Sequence, residues 1–109
     1  MKLRSVTLAS LTVCAALACP PLLAEGDPAA GKQKNAMCAG CHGIEGFRTA
    51  YPEVYSVPKI GGQSAAYIIN ALKAYKAGER SHPSMVGIAG SLTEKDMADL
   101  AAYYSQAGK

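Results

Sequence analysis

The chain has 109 residues, half of them apolar and 17% charged, with a formal net charge of +3. That length leaves room for one small domain and little more. No run of Lys and Arg interleaved with aromatic residues points to nucleic acid, so the basic balance does not indicate that class of partner.

Lys2 and Arg4 open the chain, Val6 to Ala18 carries no charge, and small residues with Pro20 and Pro21 lead to Leu22-Leu23-Ala24. This order predicts a secretory signal peptide over residues 1–24, cut after Ala24, and a mature domain over 25–109. The apolar run is too short for a stable bilayer anchor. The expected destination is the periplasm. A second reading takes Ala16-Leu17-Ala18-Cys19 as a lipoprotein signal that anchors the chain at Cys19, although its large apolar residue sits one place out of position. Cleavage after Ala24 removes Lys2 and Arg4, so the mature charge falls to about +1, and only Cys38 and Cys41 remain as thiols.

Asp27 with Pro28 marks a helix start, because Asp caps well and Pro at the first helical position gives up no needed N–H. This helix is expected to run past Gly31 to about Cys38. From Gly43 to Gly62 there are two prolines, four glycines and no strand alternation among the 20 residues. A loop that long in a compact domain needs something to wrap. Ser64 to Ala77 reads as a helix with Ile68, Leu72 and Tyr75 on one face and Gly78 at its end. Glu79 to Gly90 is read as a second loop containing Pro83 and Met85. Thr93 and Asp96 form a capping-box pattern before a last helix whose apolar stripe is Met97, Leu100, Ala101 and Tyr104, with Gly108 closing it. The expected fold is all-α: three main helices, two long loops and no strands.

The chemistry lies in Cys38-Ala39-Gly40-Cys41-His42. Cys-x-x-Cys-His is the covalent attachment pattern of haem c. Two thiols at this spacing reach the two vinyl groups along one porphyrin edge, and the next residue, His42, reaches the iron. A thioredoxin-type pair would need a preceding strand and a βαβ context. A zinc site would need more ligands than His82 alone adds. A disulfide across two residues would close only a very small loop. One covalent haem also answers a stability problem. A domain of this size is short of core, and burying several hundred Å² of macrocycle contributes on the order of 10 kcal/mol at ~25 cal/mol per Å².

The second axial position has four candidates: Met85, Met97, Met37 and His82. Met97 belongs to the stripe of the last helix and reads as core. Met37 precedes the cysteines on their own helix and does not easily reach the opposite face. Met85 is expected to fold over the haem from its loop, while His82, three residues earlier, is the competing ligand. A thioether ligand stabilises ferrous iron. With both axial positions filled, no site is left open to oxygen or peroxide, which favours an electron carrier over an enzyme.

Beyond the attachment motif, Pro58-Lys59-Ile60-Gly61-Gly62-Gln63, Tyr67, Leu72-Lys73, Met85 and Leu92 through Tyr104 together resemble the small class I bacterial c-type cytochromes, both monohaem periplasmic carriers and halves of their dihaem relatives. The resemblance implies His42 as proximal and Met85 as distal iron ligand. It implies that the Pro58 carbonyl accepts from the second ring nitrogen of His42, and that Ile60 packs on the haem face. It further implies that Leu100 and Tyr104 pack the last helix on the first across Gly31. Phe47 to Val57 departs from the family's short polar loop, and Tyr51 and Tyr55 there are candidates to cover a haem edge or meet a partner. Lys73, Lys76 and Arg80 share a side and suit either an acidic partner or a solvated face. Arg80 is also a candidate to pair with a haem propionate. The expected function is a one-electron shuttle between redox protein partners, with no small-molecule substrate. Alternatives are a haem subunit of a larger periplasmic oxidoreductase, or a haem enzyme or gas sensor with a displaceable distal ligand.

Overall fold

The protein is described by a computed structural model over residues 26–51 and 53–107. The expected signal peptide, Cys14, Cys19, Pro52 and the closing Gly108 lie outside the described residues. Five helices and one short strand pair follow in order: α1 Pro28–Lys34, α2 Ala36–His42, β1 Arg48–Thr49, β2 Tyr55–Ser56, α3 Ala65–Ala77, α4 Pro83–Gly90 and α5 Glu94–Gln106.

The first helix starts as expected, with the Asp27 carboxylate accepting from the Ala29 N–H at 2.9 Å and Pro28 in the first turn. It does not run unbroken to Cys38. Asn35, at φ −80° and ψ 0°, makes a joint between two short helices. Its carbonyl accepts from both Cys38 and Ala39 at 2.9 and 2.8 Å. Asn is a weak former of helix interiors, and the break turns α2 so that all of Cys38 to His42 is helical.

Two further expectations are corrected. The stretch from Gly43 to Gly62 contains a hairpin, with Arg48 opposite Ser56 and Thr49 opposite Tyr55. The Thr49 hydroxyl closes its turn, donating to the Glu53 carbonyl and accepting from the Tyr55 N–H, each at 3.1 Å. Met85 lies on a helix and not in a loop. Pro83 sits at the start of α4 behind an extended His82, and Met85, Ile88, Ala89 and Leu92 repeat at helical spacing.

The remaining caps follow the sequence. Ser64 accepts from Tyr67 N–H, and Gly78 ends α3 at φ 79°, a left-handed conformation that suits glycine. Thr93 and Asp96 exchange side-chain-to-backbone bonds of 3.1 and 2.9 Å at the start of α5.

The core joins Ile68 and Leu72 of α3, Ala89 of α4, Leu92, and Met97, Leu100 and Ala101 of α5. The opposite side of α5 receives α1. A side chain at Gly31 would collide with the Asp99 carbonyl and come within 2.8 Å of Tyr103 Cβ. The contact over Gly31 is therefore made by Asp99 and Tyr103, while Leu100 lies in the core and Tyr104 stands beside Asn35 and Cys38.

Asp99 is fully buried at this junction. Its carboxylate accepts from the Asp27 N–H and from Lys34, both at 2.8 Å, and from Lys95 at 3.1 Å. Three donors on one buried charge replace the water it gives up.

Candidate functional site

A cavity of about 440 Å³ opens between α2, the hairpin, α3 and α4. All the site residues expected from the sequence line it: Cys38, Cys41, His42, Pro58, Ile60 and Met85. They reach it from three separate segments. The helix α2 brings the two thiols and the imidazole to one wall, 58–60 forms a second, and α4 presents Met85. Ile68, Leu72, Ile88 and Leu100 add apolar surface. The volume lies within the range of sites that enclose a small cofactor.

Cys38 and Cys41 are free thiols, each half-buried. Burial pushes the Cys38 thiol up, and the neighbouring Tyr104 hydroxyl partly offsets this. Burial likewise raises the Tyr104 hydroxyl to about 12.

The Nδ1 of His42 lies 2.6 Å from the Pro58 carbonyl oxygen. A carbonyl only accepts, so Nδ1 carries the proton and donates. Nε2 then keeps its lone pair, the tautomer and orientation that a metal-bound imidazole has. The chemistry of this donor set fits a haem: two thiols, an imidazole with its second nitrogen engaged, a thioether from another element, and apolar walls between them.

The other candidates fall apart from one another. Met97 is 1% exposed and sealed in the core. Met37 lines the cavity rim and is half exposed. His82 lines the cavity as well, with its ring packed edge-on against Tyr55 at 5.1 Å. Tyr51 is exposed at the hairpin, away from this cavity, whereas Tyr55 forms part of its wall. The three cations on α3 and beyond each have a partner within the chain: Lys73 pairs with Glu94 at 3.4 Å, Lys76 donates to the Leu92 carbonyl, and Arg80 lies 4.6 Å over the Tyr75 ring. Arg80 also lines the cavity.

Sequence reasoning passed over the hairpin's Thr49 and Ser56, which also line the cavity. Nothing in a two-residue strand signals this. For α4 there was a signal, Pro83 behind His82, which marks a first helical turn.

With this geometry in view, the chain belongs to the cytochrome c family, whose model matches residues 28–107. Cytochrome c-554(548) of Halomonas halodenitrificans is 42% identical over 83 residues, which cover 73% of this chain and 95% of that protein. Cytochrome c4 of Pseudomonas aeruginosa is 38% identical over 82 residues, 75% of this chain but only 39% of that longer protein. The cytochrome subunit of sulfide dehydrogenase from Chlorobaculum tepidum is 32% identical over 79 residues, covering 72% of this chain and 67% of that subunit. The crystal structure of reduced cytochrome c4 from Pseudomonas stutzeri superposes with a TM-score of 0.55 at 29% identity, over 76% of this chain and 50% of that one. The chain is thus a small class I c-type cytochrome, similar to one half of the cytochrome c4 architecture, and its biochemistry is electron transfer by covalently bound haem c. Among the described residues no helix is long and apolar enough to cross a membrane.

Proposed function

We propose that this chain is a monohaem periplasmic carrier that moves one electron at a time between redox proteins. Cys38 and Cys41 would hold the haem through thioethers, and His42 Nε2 and Met85 Sδ would ligate its iron. The bound haem supplies a reversible one-electron Fe(II)/Fe(III) couple. The observation that carries this reading is the convergence of Cys38, Cys41, His42 and Met85 on one apolar cavity, with His42 Nδ1 already committed to Pro58.

Each residue has a physical task. The Pro58 carbonyl holds the imidazole plane and raises its basicity as a ligand. Ile60, Ile68, Leu72 and Ile88 exclude water from the cavity walls, and a drier site disfavours the extra charge of the ferric state. Met85 is an uncharged, polarizable ligand and favours ferrous iron. Ligation by both His42 and Met85 would leave the iron no position open to a substrate, which favours a carrier over an enzyme.

The test is spectroscopic. The ferric holoprotein should show the weak far-red band of thioether-to-iron ligation, and Met85→Ala should abolish it and lower the reduction potential. A Met85→Ala protein that keeps both would remove Met85 from the iron and return the position to another thioether, Met97. Carbon monoxide binding to the reduced wild-type protein at neutral pH would count against the carrier reading.

A second reading, a haem subunit fixed in a larger oxidoreductase, is supported by the likeness to the sulfide dehydrogenase subunit. Co-purification of the native protein in a stoichiometric complex would favour it; a stable free monomer would favour the shuttle.

A further inference from the structure

The Nδ1 atom of His82 is buried and has no hydrogen-bond partner among the described residues. Orphaned polar atoms of this kind are rare in folded proteins and ask for an explanation. Capping does not provide one. His82 occupies the N-cap position of α4 in an extended conformation, φ −155° and ψ 111°, yet its side chain makes no capping bond. The ring is instead fixed edge-on against Tyr55, with the ring planes at 67°.

Its surroundings point to an anionic occupant. His82 lines both the main cavity and a smaller one of about 190 Å³ beside the hairpin, so it stands in the partition between them. With it, Thr49, Ser56, Arg80, Ser81 and Ser84 put polar groups on the lining of the main cavity, to which Lys59 and Gln63 add from the 58–63 segment. Arg80 is held in place by the Tyr75 ring. The ionisable groups beside His82 are Tyr51, Glu53 and Tyr55 from the hairpin, in the smaller cavity, and Arg80 from its own segment, in the main one; Glu53 bonds the Tyr55 hydroxyl and leaves His82 Nδ1 unpaired.

A haem attached through its vinyl edge at Cys38 and Cys41 carries both carboxylates on the opposite edge. We propose that the His82 Nδ1–H donates a hydrogen bond to a haem propionate, so that His82 fixes the carboxylate edge of the cofactor as the two cysteines fix the vinyl edge. This rests on the haem reading above. It assigns His82 to the porphyrin rim and removes it as a competitor for the iron. A charge-assisted bond of this type is stronger than one between neutral groups. Arg80 supplies the compensating positive charge in the same cavity.

The test uses the reduced holoprotein with haem isotopically labelled at its carboxylate carbons, read by NMR, in wild type, His82→Phe, His82→Asn and His82→Gln. Phe keeps ring volume against Tyr55 without a donor. Asn places an amide N–H where Nδ1 stood and suits a helix N-cap. Gln carries its amide one bond further out. The expected result is a displaced resonance for one carboxylate in the Phe and Gln variants, its return toward the wild-type position in Asn, and the same far-red band in all four ferric proteins. If Phe does not fold, the contrast between Asn and Gln decides. Unchanged carboxylate resonances in a haem-bearing Phe or Gln variant would overturn the assignment and leave the haem reading standing. A wild-type ferric protein that carries covalent haem but lacks the far-red band would instead return His82 to the iron and overturn the proposal. Wild-type protein without covalent haem would overturn both.

Discussion

Met85 packs against the rim of the hydrophobic cluster that holds Met97 in its interior. The two thioethers are therefore neighbours in one apolar body, but only Met85 reaches the cavity. Their alanine variants should separate cleanly. Met97→Ala empties a site that is 1% exposed and should cost about 2–5 kcal/mol of stability while leaving the ferric far-red band in place. Met85→Ala should remove the band. Chemical denaturation and visible spectra of both variants check this, and loss of the band in a folded Met97→Ala protein would reverse the assignment.

Covalent attachment makes a prediction about mass. Cys41→Ser should retain one thioether, keep haem on the polypeptide through acid-acetone extraction, and move the reduced α-band to longer wavelength because one vinyl stays conjugated. The Cys38→Ser, Cys41→Ser double variant should carry no covalent haem, as read by intact-protein mass, and release any bound haem to acid-acetone.

The α1–α5 crossing makes a prediction about packing. Gly31→Val puts a branched side chain into the Asp99 carbonyl and Tyr103 Cβ, neighbours that cannot swing aside as the end of a long side chain could. Overpacking of this kind costs about 1–3 kcal/mol, and each kcal/mol lowers Tm by roughly 4–8 °C in a domain of this size. A Gly31→Val protein with unchanged Tm would show that the crossing yields easily.

The buried carboxylate makes a prediction about acid. Hydrogen bonds from Lys34, then from the Asp27 N–H, and then from Lys95 push the Asp99 carboxyl down to about 2 from its ordinary 3.8. Lys34 and Thr93 hold Asp96 well below the usual carboxylate range too. Because the folded value is depressed, the stabilisation is complete above the unfolded value and disappears as pH falls through the folded one. The protein should thus lose stability steeply between about pH 4 and pH 2. Asp99→Asn should be less stable at neutral pH and show a flatter profile in that window, measured by denaturation at a series of pH values. An equally steep profile in Asp99→Asn would place the acid sensitivity elsewhere.

Legibility of the fold followed the strength of local signals. Thr93 with Asp96, Ser64, and Gly78 are complete start and stop chemistry, and α3 and α5 stand where they predict. The helix α4 is short and carries Gly87 and Gly90, so composition favours a loop, and tertiary contact of Met85, Ile88 and Ala89 with the core overrides it. The hairpin rests on one threonine hydroxyl, a contact with no periodic signature. No local pattern marks Asp99, one turn from Asp96, as buried. Only the arrival of α1 and two lysines makes it a buried junction. The haem-attachment residues were legible because Cys38, Cys41 and His42 are contiguous. Pro58 and Met85 gather at the same cavity through tertiary structure that no local pattern encodes.

Asp96 serves two structures at once. One oxygen accepts from the Thr93 N–H to start α5, and the other pairs with Lys34 at 2.8 Å. Initiating the last helix and seating the first helix on it are consequently coupled events, separated by more than sixty residues of chain. Closing so long a loop carries an entropy cost before any contact offsets it, so α1 and α5 should acquire order together in one cooperative step. Every residue lining the cavity except Leu100 and Tyr104 lies within the span this junction closes, which makes the pairing of α1 with α5 a condition for presenting thiols, imidazole and thioether to a common guest.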